Sequence, residues 1–102
     1  MKNRTITALA REGERVFVYL ADCSLSAMFM RQAEREGFTF GDGVKPTERK
    51  PDQIMAIHPD CTLHYVGAVG HMAFAANPEN LLRVDYAKYR NGLKDYLYHE
   101  HT

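Results

Sequence analysis

"RVFVYLA", Arg15 to Ala21, running straight into "DCSLSAMFMRQAEREG", Asp22 to Gly37, is the stretch that decides the fold. The first piece is β-branched and aromatic. Extended, it sets Val16, Val18 and Leu20 on one side and Phe17 and Tyr19 on the other. Both sides are apolar, which predicts a central strand covered on both faces. The second piece changes period. Leu25, Met28, Phe29 and Ala33 recur at helical spacing, while Ser26, Arg31, Glu34 and Arg35 fall on the wet side. Asp22 or Ser24 can cap the helix, because either side-chain oxygen can accept from a free amide of the first turn. Gly37 ends it, since glycine takes the left-handed C-cap conformation without a Cβ penalty. The Met and Phe positions read as core packing rather than as a partner groove.

Working outward, "QIMAIHPDCTLHYVG" predicts a β-hairpin, with Ile54, Ala56 and His58 on one face and Met55 and Ile57 on the other. Pro59-Asp60 supplies the turn, the proline presetting φ at the first corner. "LLRVDYAKY" predicts a last strand entering a helix or tail. Upstream, "TITALA" fits a strand or a short helix, and the strand reading is preferred, so residues 1–14 form an extra strand or arm. "AVGHMAFAANPEN" is ambiguous, with Gly67 and Gly70 suggesting a break, and residues 99–102 are expected to fray. The order predicts an α+β fold: a mainly antiparallel sheet of four to five strands with one or two helices on one face.

Composition sets limits on function. A chain of 102 residues makes one domain, and folding at that size buries roughly 60–65% of the extended surface. Apolar residues are 45% and charged residues 25%, an ordinary globular balance. Lys and Arg number 13 and so do Asp and Glu, so there is no global field to favour a basic nucleic-acid binder or an acidic DNA mimic. Charges interrupt the first residues throughout, which predicts no signal peptide and no membrane span, hence a cytoplasmic protein with reduced thiols. Cys23 and Cys61 are the two cysteines and are expected to be buried structural thiols.

Three kinds of chemistry have candidates. His58, Cys61 and His64 give an H-x2-C-x2-H spacing, a weak metal or thiol-enzyme signal. A zinc site needs ligands converging at about 2.0–2.3 Å, and no second ligand pair is present. No Walker loop, G-x-S-x-G or H-E-x-x-H occurs, so neither a cofactor nor an enzymatic activity is expected. "GDGVKPTERK", Gly41 to Lys50, is the sharper feature. Its glycines can form an amide nest for phosphate, with Lys45, Arg49 and Lys50 adding charge and Phe38 and Phe40 available to stack a base. Against that, Asp42 and Glu48 put negative charge in the same segment, and Phe38 and Phe40 alternate as core residues do. Mixed charge favours a protein-contact loop, in which Asp42, Lys45, Glu48, Arg49 and Lys50 meet a partner. The tyrosines of "DYAKYRNGLKDYLY", Tyr86 and Tyr89 above all, are the other expected contacts, since tyrosine is enriched at interface hot spots.

The runs "AEREGFTFGDGVKPTER", "IHPDCTLHYVGAVGHMAF" and "RVDYAKY" resemble small proteins encoded by phages and conjugative elements of gut-associated Firmicutes. The resemblance covers roughly residues 15 to 90 and carries no established activity, so no residue role transfers from it. It implies a context, in which small single-domain proteins serve as inhibitors of host defence, anti-CRISPR proteins among them, or as accessory factors in replication and transfer. The leading expectation is therefore a non-enzymatic binding protein that occludes a host defence component. The alternative is a nucleic-acid or nucleotide-binding accessory protein using "GDGVKPTERK". A symmetric homodimer is the default if the chain self-associates.

Overall fold

The computed structural model describes residues 4–99. Its elements are α1 (Ile6–Leu9), β1 (Arg15–Tyr19), α2 (Cys23–Arg35), β2 (Thr39–Phe40), β3 (Ile54–His58), β4 (Thr62–Tyr65), α3 (Gly67–Ala76), β5 (Leu81–Asp85) and α4 (Tyr86–Arg90), with one tight helical turn at Pro46–Glu48. The strands form one sheet in the order β2-β4-β3-β1-β5. The expected α+β architecture is what is found, with two differences. The sheet is mixed rather than mainly antiparallel: β1 pairs β3 and β3 pairs β4 antiparallel, while β1 pairs β5 and β2 pairs β4 in parallel. Helices also cover both faces rather than one.

Two long crossovers account for both differences: they bring β2 and β5 in parallel to their neighbours, and their handedness sets the faces. β1 and β4 point the same way, because each runs antiparallel to β3. From β1 the chain crosses through α2 to one edge of the sheet, and from β4 it crosses through α3 to the other edge. Parallel crossovers are right-handed, so crossings in opposite directions place their helices on opposite faces.

On the first face Val16, Val18, Met55, Ile57, Leu63 and Val84 meet buried side chains of α1, α2 and α4, including Phe29 and Tyr86. On the second face Phe17, Ile54, Ala56 and Leu81 meet Phe74 of α3. Each such aliphatic or aromatic side chain, fully buried, contributes about 1.5–3 kcal/mol. β1 is central and apolar on both sides, as its residues predict. The cap of α2 also follows the sequence: Asp22 Oδ1 accepts from the Leu25 amide at 2.8 Å, and Gly37 at φ +88° turns the chain so that the Phe38 amide reaches the Ala33 carbonyl at 2.9 Å.

"TITALA" is helix α1 and not a strand. Thr5 Oγ1 accepts from the Ala8 amide at 3.0 Å. The stronger cause is distant in sequence. The Glu36 carboxylate, just past the end of α2, accepts from the amides of Ile6 (3.0 Å) and Thr7 (2.7 Å) and from the Thr7 hydroxyl (2.7 Å). Two free amides of the first helical turn and one hydroxyl are met by a single carboxylate. "GHMAFA" is also helical, and Gly70 lies inside α3, where an added Cβ would meet Val66 Cβ at 2.2 Å.

The chain end returns to the sheet: Asp85 N donates to the Tyr96 carbonyl (2.8 Å) and Tyr98 N to the Arg83 carbonyl (3.0 Å). The Tyr98 ring then lies 4.7 Å from Tyr19 and 4.8 Å from Phe74, closing the second face. Of the expected frayed tail, His99 bonds Asp95 at 2.8 Å and the remainder lies outside the described residues.

Candidate functional site

"GDGVKPTERK" is a bonded, preformed loop. Phe40 N donates to the Val44 carbonyl and Gly43 N to the Phe40 carbonyl, both at 2.8 Å, with Gly43 at φ +88°. Val44 N donates to Asp42 Oδ1 at 3.3 Å, and Lys45 N to Glu48 Oε2 at 3.2 Å. The amides of Gly43 and Val44 are thus engaged inside the turn and do not form a phosphate nest. Pro46 is fully buried, and Thr47 fastens the loop to α2 through its amide (3.3 Å) and hydroxyl (2.6 Å), both donating to Glu34 Oε1. The Thr47 hydroxyl is the chief reason the Glu34 carboxyl titrates below its ordinary value.

Phe38 and Phe40 are both buried, which removes them as base-stacking platforms. The outer face of the loop carries the charges. Arg49 Nη2 donates to Asp42 Oδ2, the main cause of the lowered Asp42 value, and the Arg49 guanidinium lies 4.8 Å from the Phe40 ring centroid. Phe40 in turn stacks on Tyr65 at 5.3 Å, and the Tyr65 hydroxyl donates to the Lys50 carbonyl at 2.6 Å. Asp42, Lys45, Glu48 and Lys50 are exposed and Arg49 is half-buried, so the structure brings the five loop residues together on one surface.

Tyr86 and Tyr89 are a correction. They are 0% and 5% exposed and belong to the core, so neither can meet a partner. The Tyr86 hydroxyl donates to Gln32 Oε1 and the Tyr89 hydroxyl to the Thr5 carbonyl at 2.6 Å. Burial pushes the Tyr89 phenol up to about 12. A helix follows β5 immediately, and its first turn directs both rings inward onto α1 and α2. Tyrosine counts alone do not distinguish that from an interface.

The hairpin turn brings His58 and His64 edge to face, ring centroids 4.7 Å apart, but His64 Nε2 bonds Thr62 Oγ1 at 3.0 Å. Among the described residues no three His, Cys, Asp or Glu side chains converge as a metal ion would require. Cys61 has a backbone role. At φ +67° it occupies the left-handed position that follows the Pro59-Asp60 turn, with its amide donating to the His58 carbonyl (3.1 Å) and its carbonyl accepting from Thr39 (3.1 Å). Cys61→Gly is expected to raise stability by roughly 0.5–1 kcal/mol and Cys61→Val to lower it by about 1–2 kcal/mol. Urea midpoints of the two variants, moving in opposite directions, check this.

The sequence reading missed α3 as a surface. Gly67–Ala76 holds no Asp, Glu, Lys or Arg, and a helix apolar on all sides is normally covered on all sides. Here Phe74 faces the sheet, while Val69 and Met72 are 81% and 72% exposed, one helical turn apart on the outer face. Asp52 Oδ2 and His71 Nε2, 3.1 Å apart, join α3 to the chain just beyond the loop. A run of ten residues free of charge was the available signal, masked by its two glycines.

Among the described residues no helix is long and apolar enough to cross a membrane. No family model matches the chain, and neither a curated protein nor a solved structure is significantly similar to it.

Proposed function

We propose that this chain is a binding protein without catalytic activity, acting by covering a partner protein's surface with the outer face of α3 and the adjoining loop. The observation that carries this reading is the uncharged helix α3 holding Val69 and Met72 out to solvent. Exposed apolar side chains gathered on one convex helix face, with polar residues around them, suit a protein contact. The loop charges of Lys45, Glu48 and Arg49 suit the polar rim of such an interface, where they steer and register the partner more than they add affinity. Preformed loop geometry lowers the ordering cost of association.

The resemblance to proteins of phages and conjugative elements supplies the setting, and a component of a host defence system is the partner that setting favours. Expression in a strain whose defence system restricts an infecting phage tests the proposal. The parent chain is expected to restore plaque formation, and Val69→Asp with Met72→Asp to abolish the rescue while circular dichroism stays native. Loss of two hot-spot contacts corresponds to roughly 10–100-fold or more in affinity. Full rescue by the double variant would remove α3 from the interface.

A further inference from the structure

The segment from Thr47 to Pro51 does not lie flat on α2. Between them is a cleft of about 420 Å³, within the size range of small-molecule sites. Ala27, Met30 and Pro51 make its apolar part. Its charged lining is Arg31, Arg49 and Lys50, all positive, and no carboxylate lines it. Arg49 is half-neutralised by Asp42 across the loop, but the side chains of Arg31 and Lys50 have no anionic partner among the described residues. Asp22, at the start of α2, has Oδ1 turned to the Leu25 amide.

Ser26 is the second and independent observation. It lies on the wall of the cleft, is only 9% exposed, and its hydroxyl has no hydrogen-bond partner in the protein. Its oxygen is not sealed off, since no buried side-chain oxygen or nitrogen among the described residues lacks a partner, so the hydroxyl opens to the cleft and is free to bond a ligand there. A serine here is also at odds with the core side chains beside it, Leu25, Phe29 and Met30.

We propose that this cleft binds a small phosphorylated organic molecule of mononucleotide size. The organic body lies against Ala27, Met30 and Pro51, Ser26 bonds a polar atom of it, and the phosphate sits among Arg31, Arg49 and Lys50. Guanidinium forks match phosphate oxygens two at a time, which favours phosphate over a single carboxylate. The apolar wall favours an organic phosphate over the inorganic ion. This site is on the α2 layer, across the sheet from α3, and shares only the loop residue Arg49 with the proposed contact rim, so Arg31→Ser and Ala27→Trp test it without touching Val69 and Met72.

The test titrates the full chain with adenosine 5′-monophosphate, ribose 5-phosphate, adenosine and inorganic phosphate, followed by calorimetry and by the rate of alkylation at Cys23. That thiol lines the cleft and is exposed, not buried as the sequence predicts, because it occupies the first turn of α2. At least one phosphorylated organic probe is expected to saturate and to slow alkylation of Cys23, with adenosine and inorganic phosphate much weaker. Arg31→Ser and Ala27→Trp, both at exposed helix positions, are each expected to weaken that binding about tenfold or more. The proposal is overturned if no organic phosphate saturates at millimolar concentration, or if Ala27→Trp binds like the parent. It is equally overturned if a single-stranded oligonucleotide saturates where the mononucleotide does not, since that assigns the cations to a strand-binding surface.

Discussion

Tyr86→Ala is expected to lower the unfolding free energy by about 3–5 kcal/mol, the range for removing a large buried aromatic ring. Tyr86 is fully buried, meets Phe29 edge-on with centroids 5.1 Å apart, and donates its hydroxyl to Gln32. Gln32 is itself a junction: its Nε2 donates to the Arg4 carbonyl (3.2 Å) and to Glu36 Oε2 (2.8 Å). Removing the ring therefore opens a cavity and leaves the Gln32 oxygen without its donor. Tyr86→Phe separates the two effects, since it keeps the ring and removes only the hydroxyl, at about 1–2 kcal/mol. Urea unfolding of both variants gives the measurement. A residue at a partner surface would show the reverse pattern, with stability unchanged and binding lost. A parent-like midpoint for Tyr86→Ala would mean that this ring serves a partner surface instead of the core.

Glu36→Ala is expected to cost about 1–2 kcal/mol near neutral pH, after allowing for solvent around a carboxylate that is only part buried. Its dependence on pH identifies the cause. Burial raises the value of this carboxyl, but the bonds from Ile6, Thr7 and Gln32 outweigh burial and the net shift is downward from 4.5. A carboxylate whose folded value is depressed contributes stability above its unfolded value and loses it as pH falls through the folded one. The stability difference between the parent and Glu36→Gln should thus be full at neutral pH, shrink below about pH 4.5 and vanish once both folded and unfolded forms are protonated. A difference that stays constant across that range would mean that shape, and not charge, holds α1. Amide exchange at Ile6 and Thr7 should quicken in the same variant.

Much of the molecule can be read along the chain because its causes are local. The alternation in Arg15–Tyr19, the Asp22 cap, the Gly37 stop and the inward Phe38 and Phe40 each depend on neighbours a few residues away, and each appears as expected. The exposure of Asp42, Lys45, Glu48 and Lys50 follows from local polarity in the same way. α1 was misread because its first amides are met by Glu36, about thirty residues on, and no local pattern records that bond. α3 was left undecided because Gly67 and Gly70 weaken helix propensity, whereas the crossover from β4 to β5 demands a long element at that point. Tyr86 and Tyr89 were assigned to the surface because tyrosine suits both environments, and only the position of α4 against α1 and α2 separates them.

By itself, then, the sequence determined the element types at the centre of the chain, the α+β class, and a charged loop anchored by buried aromatics. What the tertiary structure decided was which surfaces remain open. The handedness of two opposed crossovers sends α2 and α3 to opposite faces. That leaves α3 with bare apolar positions on one side of the sheet and a cation-lined cleft beside α2 on the other. Local propensity cannot carry that information, because it arises from how the chain closes the sheet rather than from any stretch of residues within it.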